Sequence, residues 1–420
     1  MILYFLIYGF IIFLYILISI KSNKLFQINL LSFFILSHIL LFLITPILFQ
    51  QHYILEDHIF QNISYISLIS ILTAFSFKIS FLNNIYLEPK INIIRWIFYI
   101  MVVVSIYSIF INITNINIDR TMTALKGEYQ GRGIFSILKT LYTILGMIYL
   151  GYLYNTNKKK FILFYFILFF SLILSSAHRT PVAILFISPI LLYFIYNKNA
   201  TFKLVHLIVT GILIANLMFF MNFYRQGIIN QISLNNNSII STSFLNSLSG
   251  MNTTKNLYML IETNYPIQYF EKIYYLFIGF IPRKLYPEKP VVSFNVRTTE
   301  DVFGYKIGAF KGADVITYTV PGEGYIQFSY LGVFLMTFLS AILSRILIVL
   351  YLKIKYIDFI LISFLFSIFI NFRSAFDSFY YTVIYNLAYL IILLPFFRIK
   401  KGQINTKLSV INRSIHIKWK

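Results

Sequence analysis

Several arginines in this chain sit where a charged side chain is costly. Arg179 stands in Ser175-Ser-Ala-His-Arg-Thr-Pro181, which joins two apolar segments with almost no polar spacer. Pro181 cannot donate to a helix ladder and favours a break there. A break at membrane depth is tolerated only where it is buried in protein or lines a cavity. An ionisable side chain in such a place is a functional candidate by default; the alternative is a turn residue reaching to the outer headgroups. Arg225 follows an apolar run directly, in Phe223-Tyr224-Arg225-Gln226-Gly227, and Arg373 ends another, four residues before Asp377. Taken singly, these two read as interfacial anchors. Arg matches phosphate oxygens through a planar, two-pronged fork. Three such groups near one face can hold a diphosphate and stabilise it as a leaving group, with no metal required.

Acids are scarce: 14 Asp and Glu against 35 Lys and Arg. Glu323 lies between glycines in Gly322-Glu-Gly324, where the chain re-enters an apolar run. The flanking glycines allow a ligand close to the backbone. The carboxylate reads equally as a general base for a hydroxyl and as a helix N-terminal carboxylate favoured by the dipole. His178, beside Arg179, is the rival base. Glu56 and Asp57, with His52 and His58, read as a solvated loop without metal spacing. His38, inside an apolar run, reads as a hydrogen-bonded packing residue.

The elements that must position these groups are membrane helices. The chain has 420 residues, 59% hydrophobic and 12% charged, with mean hydropathy +0.77. A soluble chain carries about 25% charged residues. Apolar runs near twenty residues recur, each long enough to cross about 30 Å of hydrocarbon. The pattern predicts an all-α polytopic membrane protein of about eleven spans: 2–20, 28–49, 63–82, 93–112, 134–153, 161–176, 182–196, 203–221, 325–344, 357–371 and 379–397. This divides the chain into an N-terminal bundle (1–221), one large extracytoplasmic loop (222–322), C-terminal helices (323–397) and a basic tail (398–420). The first span lacks a basic n-region and a small-residue cleavage site, so it reads as retained. No cysteine is present, which excludes disulfides and thiolate metal sites.

Lys and Arg in short loops predict the orientation. Lys21, Lys24, Lys90, Arg95, Lys158, Lys159, Lys160, Lys198, Lys203, Arg345, Lys353 and Lys355 form one set. Segment 50–62 has none, while 177–181 and 372–378 carry only Arg179 and Arg373. The N-terminus is then outside and the C-terminus inside, with the tail facing anionic membrane lipid. Net charge is +21, and this layout accounts for most of it without nucleic acid. Long loops escape the charge rule, so the cations of 222–322 need another explanation, and an anionic substrate is one.

That loop adds Arg283 and Arg297, with Lys284 and Lys289, and interleaves Tyr258, Tyr265, Tyr269, Tyr275 and Tyr318. Aromatic faces with scattered polar groups suit the C–H faces of sugars; the alternative is that the rings pack the loop onto the bundle. Arg120-Thr-Met-Thr-Ala-Leu-Lys-Gly-Glu-Tyr-Gln-Gly131 faintly echoes Arg297-Thr-Thr-Glu-Asp-Val-Phe-Gly-Tyr-Lys-Ile-Gly308, which adds Arg120 to the candidates.

Ile281-Pro-Arg-Lys-Leu-Tyr-Pro-Glu-Lys-Pro290 and Gly322-Glu-Gly-Tyr-Ile-Gln-Phe-Ser-Tyr-Leu-Gly332 resemble motifs of the bacterial oligosaccharide repeat-unit polymerases, the O-antigen and capsule polymerases. Gly324 and Ser329 stand where that family usually has Ala and Gly. The resemblance implies a metal-independent glycosyltransferase of the inner membrane with no cofactor. It would transfer a growing glycan from undecaprenyl diphosphate to the next lipid-linked repeat unit at the periplasmic face. It implies a flippase and a chain-length regulator as partners. Arg179, Arg225 and Arg283 would hold diphosphate, with Arg120, Arg297 and Arg373 as further substrate-binding residues and Glu323 or His178 as base. A lipid-linked oligosaccharide flippase and an O-antigen ligase are the alternatives.

Overall fold

Each apolar run must satisfy its own backbone groups in hydrocarbon, and the α-helix does so within one segment. The structure, a computed structural model, describes residues 30–77, 85–100, 133–175, 253–269, 274–278, 285–288, 297–299 and 317–401, with isolated positions between them. The expected spans 2–20, 182–196 and 203–221 lie almost wholly outside the described residues. Among those described, three helical segments are long and apolar enough to cross a membrane: His58–Ser76, Val320–Tyr351 and Phe379–Phe396. This is compatible with a membrane protein. The outward faces agree, with Leu36, Leu48, Ile69, Leu72, Trp96 and Ile391 all exposed, an apolar surface that water would not favour.

The principal helices are α1 (Leu30–Ile39), α2 (His58–Ser76), α3 (Gly133–Thr156), α4 (Lys158–Ser175), α5 (Thr253–Glu262), α6 (Val320–Tyr351), α7 (Asp358–Ser374) and α8 (Phe376–Leu393). Helix α1 runs on through a π-helical turn, Leu40–Ile44, into Thr45–Leu48. Pro46 lacks an N–H, and the π-helical turn before it, where the Leu40 carbonyl accepts both the backbone N–H and, at 2.7 Å, the hydroxyl of Thr45, is the kind of local adjustment found around proline. His38 is fully buried, with Nδ1 3.0 Å from the Tyr8 hydroxyl and Nε2 2.6 Å from Ser67 Oγ. It is the packing residue expected.

Among the described helices, α6 packs along α2, α7 and α8. Its buried residues include Thr337, Ser340, Ala341 and Ser344, while α2 buries Ser64, Ser67, Ser70 and Ala74. Small residues let membrane helices approach closely, where van der Waals contact replaces the hydrophobic drive that lipid removes.

Helix α6 is not one straight rod. Ser329 breaks it at φ 51°, ψ −145°, a region open essentially to glycine. The two-turn segment 320–327 folds back so that the Gly324 and Gly332 backbones touch: a Cβ on Gly324 would lie 2.5 Å from the Gly332 carbonyl oxygen. In a straight helix these residues would stand about 12 Å apart. The expected span 325–344 is corrected accordingly. Its first turn belongs to a short returning segment, and the straight helix starts after the break.

Arg345 is a second correction. The sequence pattern assigns it to a loop, but it is buried within α6. Its Nη1 donates to the Ala74 carbonyl and its Nη2 to Phe77 at 2.6 Å, with the guanidinium 5.0 Å from the Phe75 ring centroid. It answers carbonyls at the C-terminal end of α2, where a cation also meets the negative end of the helix dipole.

Two short strands depart from the expected all-α pattern. Strand β1 (Ile85–Pro89) pairs antiparallel with β2 (Phe397–Lys401), placing Glu88 opposite Arg398. Leu87 also exchanges backbone hydrogen bonds with Lys353 and Lys355, at 2.7 and 2.9 Å. Segments emerging from helix ends lie side by side here and satisfy each other's backbone groups. The expected tail therefore begins in a strand. Glu88 accepts from Lys355 at 2.8 Å and pairs with Lys400. Lys90, Lys353, Lys355, Arg398 and Lys400 thus gather at one end of the bundle. The opposite end gathers Tyr53, Tyr258, Glu323 and Arg373.

Two predictions follow from these contacts. Arg345→Leu leaves α2 carbonyls unanswered in the interior and lowers stability by about 2 kcal/mol or more, read by thermal unfolding in detergent. The hydrogen bonds from Lys355 and then Lys400 hold the Glu88 carboxyl down, from the usual 4.5 to about 2. A depressed folded value stabilises above the unfolded value and is lost as pH falls through the folded one. The Glu88 contribution is therefore complete above about 4.5 and disappears towards about 2. Unfolding temperature against pH shows this dependence in the native chain and loses it in Glu88→Gln.

Candidate functional site

Helix α7 ends at Ser374 and α8 starts at Phe376, with Ala375 extended between them. Such a break exposes carbonyls on one side and N–H groups on the other. The residues at the start of α6 answer both. The backbone N–H of Thr319 donates to the carbonyls of Arg373 and Ser374, at 3.1 and 3.0 Å, and that of Tyr318 to Ser374 at 3.2 Å. Glu323 Oε2 accepts from the Asp377 N–H at 3.1 Å, and the Phe376 amide also bonds to this carboxylate. Thr319 takes φ 76° to make the turn, and its hydroxyl caps α6 by accepting from the Gly322 N–H.

Of the two sequence readings of Glu323, the N-terminal carboxylate is thus present in the fold: Glu323 lies in the first turn of α6 and its side chain accepts at the N-terminus of α8. Glu323 is 4% exposed and Asp377 2%. Asp377, four residues after Arg373, is a buried carboxylate beside Glu323. Arg373 is half-buried at the end of α7. Arg297 lies close enough to act electrostatically on Glu323. Its guanidinium stands 4.5 Å from the Tyr275 ring centroid, a cation–π arrangement. Its Nε and Nη1 are buried and make no hydrogen bond. The Tyr275 carbonyl accepts from the Tyr381 hydroxyl at 3.0 Å, which ties this part of the loop to α8.

Beside this cluster runs a chain of polar side chains of which the sequence pointed only to Tyr265, and to its ring and not to its hydroxyl. The Tyr265 hydroxyl donates to Asp301 Oδ2 at 2.6 Å. Gln268 Nε2 donates to the Tyr265 oxygen, and Gln327 Nε2 to Gln268 Oε1, each at 3.3 Å. The Gln268 N–H donates to the Ile326 carbonyl at 2.8 Å, pinning the loop to the returning segment of α6. Burial, and then the Asp301 carboxylate, pushes the Tyr265 hydroxyl up, so it keeps its proton and remains a donor. Asp377 had a faint signal in its spacing from Arg373; the polar chain had none, because its members are 36 and 59 residues apart.

Glu323, Arg297 and Arg373 are therefore brought to one end of the bundle. His178, Arg179, Arg225, Arg283 and Arg120 lie outside the described residues. Asp57 is not merely solvated: its side chain accepts from the Phe60 N–H at 2.7 Å and caps α2. A cavity elsewhere, lined by Ile144, Tyr351, Ile357, Asn386 and Leu390, holds no charged side chain, and its Tyr351 hydroxyl already donates to Asn386 at 2.6 Å.

No protein-family model, no curated protein and no solved structure matches the chain.

The capping role makes a separable prediction. Glu323→Gln keeps an oxygen for the α8 amides and retains the fold. Glu323→Leu leaves those N–H groups unanswered and loses about 1–2 kcal/mol, measured by thermal unfolding of the solubilised protein.

Proposed function

We propose that this chain is a bacterial inner-membrane glycosyltransferase of about eleven spans that polymerises lipid-linked oligosaccharide repeat units. In this reading the N-terminus and the 222–322 loop are periplasmic and the C-terminus cytoplasmic. The donor is a growing glycan on undecaprenyl diphosphate, and the acceptor is the next lipid-linked unit. The observation that carries it is Arg297: a guanidinium with buried, unsatisfied donors, beside a buried carboxylate pair, under an aromatic loop. Such donors, held in place before substrate arrives, stabilise charge that develops on a leaving group.

The acceptor hydroxyl oxygen forms a bond to the anomeric carbon of the donor. The bond from that carbon to the diphosphate breaks, and the diphosphate leaves with the electron pair. The hydroxyl proton passes to the Glu323 carboxylate or, as the rival base, to His178. Arg297 meets the leaving diphosphate, joined in this reading by Arg179, Arg225 and Arg283 and flanked by Arg373 and Arg120. Lipid tails enter from the bilayer and the sugars lie under the loop.

Purified protein supplied with undecaprenyl-diphosphate-linked repeat units should yield a ladder of products. Arg297→Gln should reduce it about 100-fold or more, the scale for removing one preorganised donor to developing charge, while leaving the protein folded. Translocation of the lipid without new glycosidic bonds would make the protein a flippase, and transfer only onto a lipid A core would make it a ligase.

A further inference from the structure

Glu323 and Gln327 are four residues apart on the short returning segment of α6, so they share one face of that helix. Glu323 faces the amides of α8 and the charge of Arg297. Gln327 faces the chain that runs through Gln268 and Tyr265 to Asp301. The charge of Arg297 is near enough to act on Tyr265 as well as on Glu323. The second cluster differs in chemistry from the first. Its groups are two amides, a phenol and one carboxylate, with no cation among them, a poor set for diphosphate and a good one for hydroxyl groups that both donate and accept.

Two further features point to a ligand. Gln327 is 2% exposed, and its Oε1 is buried without a hydrogen-bond partner. Burying an unpaired acceptor costs free energy that a hydroxyl donor would recover. Next to Gln268 in the chain, Tyr269 is 70% exposed, held at φ 45° and braced edge-on against Phe328 at 5.9 Å. A backbone in this region is costly for a residue with a Cβ and tends to be kept at binding sites. The Tyr269 ring offers the flat apolar face on which the C–H side of a sugar ring can lie.

We infer that the chain Asp301–Tyr265–Gln268–Gln327, with the exposed Tyr269 ring next to Gln268, is a subsite for one uncharged sugar ring and selects which sugar the protein accepts. This rests on the glycosyl-transfer reading. The subsite holds the sugar beside Arg297, which takes the diphosphate, and beside Glu323.

The test uses full-length protein in detergent and two kinds of probe: undecaprenyl diphosphate carrying no sugar, and a panel of methyl pyranosides of neutral hexoses and N-acetylhexosamines. Binding is read as a saturable rise in unfolding temperature. At least one pyranoside binds. Tyr265→Phe weakens it about tenfold, the scale of one hydrogen bond, and Tyr269→Ala, at an exposed ring, weakens it as much. Both variants keep undecaprenyl diphosphate binding, which Arg297→Gln loses. Pyranoside binding that both tyrosine variants leave intact, or none in the native protein, overturns the subsite while an intact diphosphate signal leaves the transfer reading standing. Pyranoside binding through Tyr269 without any diphosphate binding keeps the subsite and overturns the transfer reading.

Discussion

The interruption between α7 and α8 is buried, and would be costly unless something answered its exposed backbone groups. Residues 318–323 do so from both sides, with N–H groups for the carbonyls of Arg373 and Ser374 and the Glu323 carboxylate for the amides of Phe376 and Asp377. In a low dielectric each such bond is stronger than in water, and each missing one is costlier. The end of the bundle that holds the candidate site is therefore held by polar contacts between three chain segments, not by apolar packing alone.

Helix α6 carries this logic along its length. One carboxylate near its start meets the N-terminus of α8, and one guanidinium towards its far end meets the C-terminus of α2. Both charges have the sign that the neighbouring helix dipole favours. Between them the break at Ser329 returns a two-turn segment against the main helix, with Gly324 and Gly332 in backbone contact. That return places Glu323 and Gln327 in the interior with the loop residues 265–268 across from them. An unbroken helix would have carried them away from the loop.

The site combines two environments that a lipid-linked sugar also combines. Arg297 with its unsatisfied donors suits a diphosphate, and the amide–phenol–carboxylate chain under an exposed aromatic ring suits a sugar. The polymerase reading gives each of these a task within one glycosyl transfer.

Composition by itself pointed to apolar helices of membrane-spanning length, and the described helices at 133–156, 158–175 and 358–374 fall within a few residues of the expected spans, because hydropathy over a helix is a local property. Glu323 and Arg297 were legible as candidates since a scarce acid between glycines and a cation in a long basic loop are anomalies visible in one dimension. The pairing of Glu323 with α8, the capping of α2 by Arg345 and the polar chain from Asp301 to Gln327 were not legible. Each joins residues between 36 and 271 positions apart, and no local pattern encodes such a distance. Nor was the reversal at Ser329 readable, because the residue there is not the glycine its conformation favours. Only the tertiary structure decided these, since unsatisfied helix ends take whichever charge the packing of other helices brings within reach.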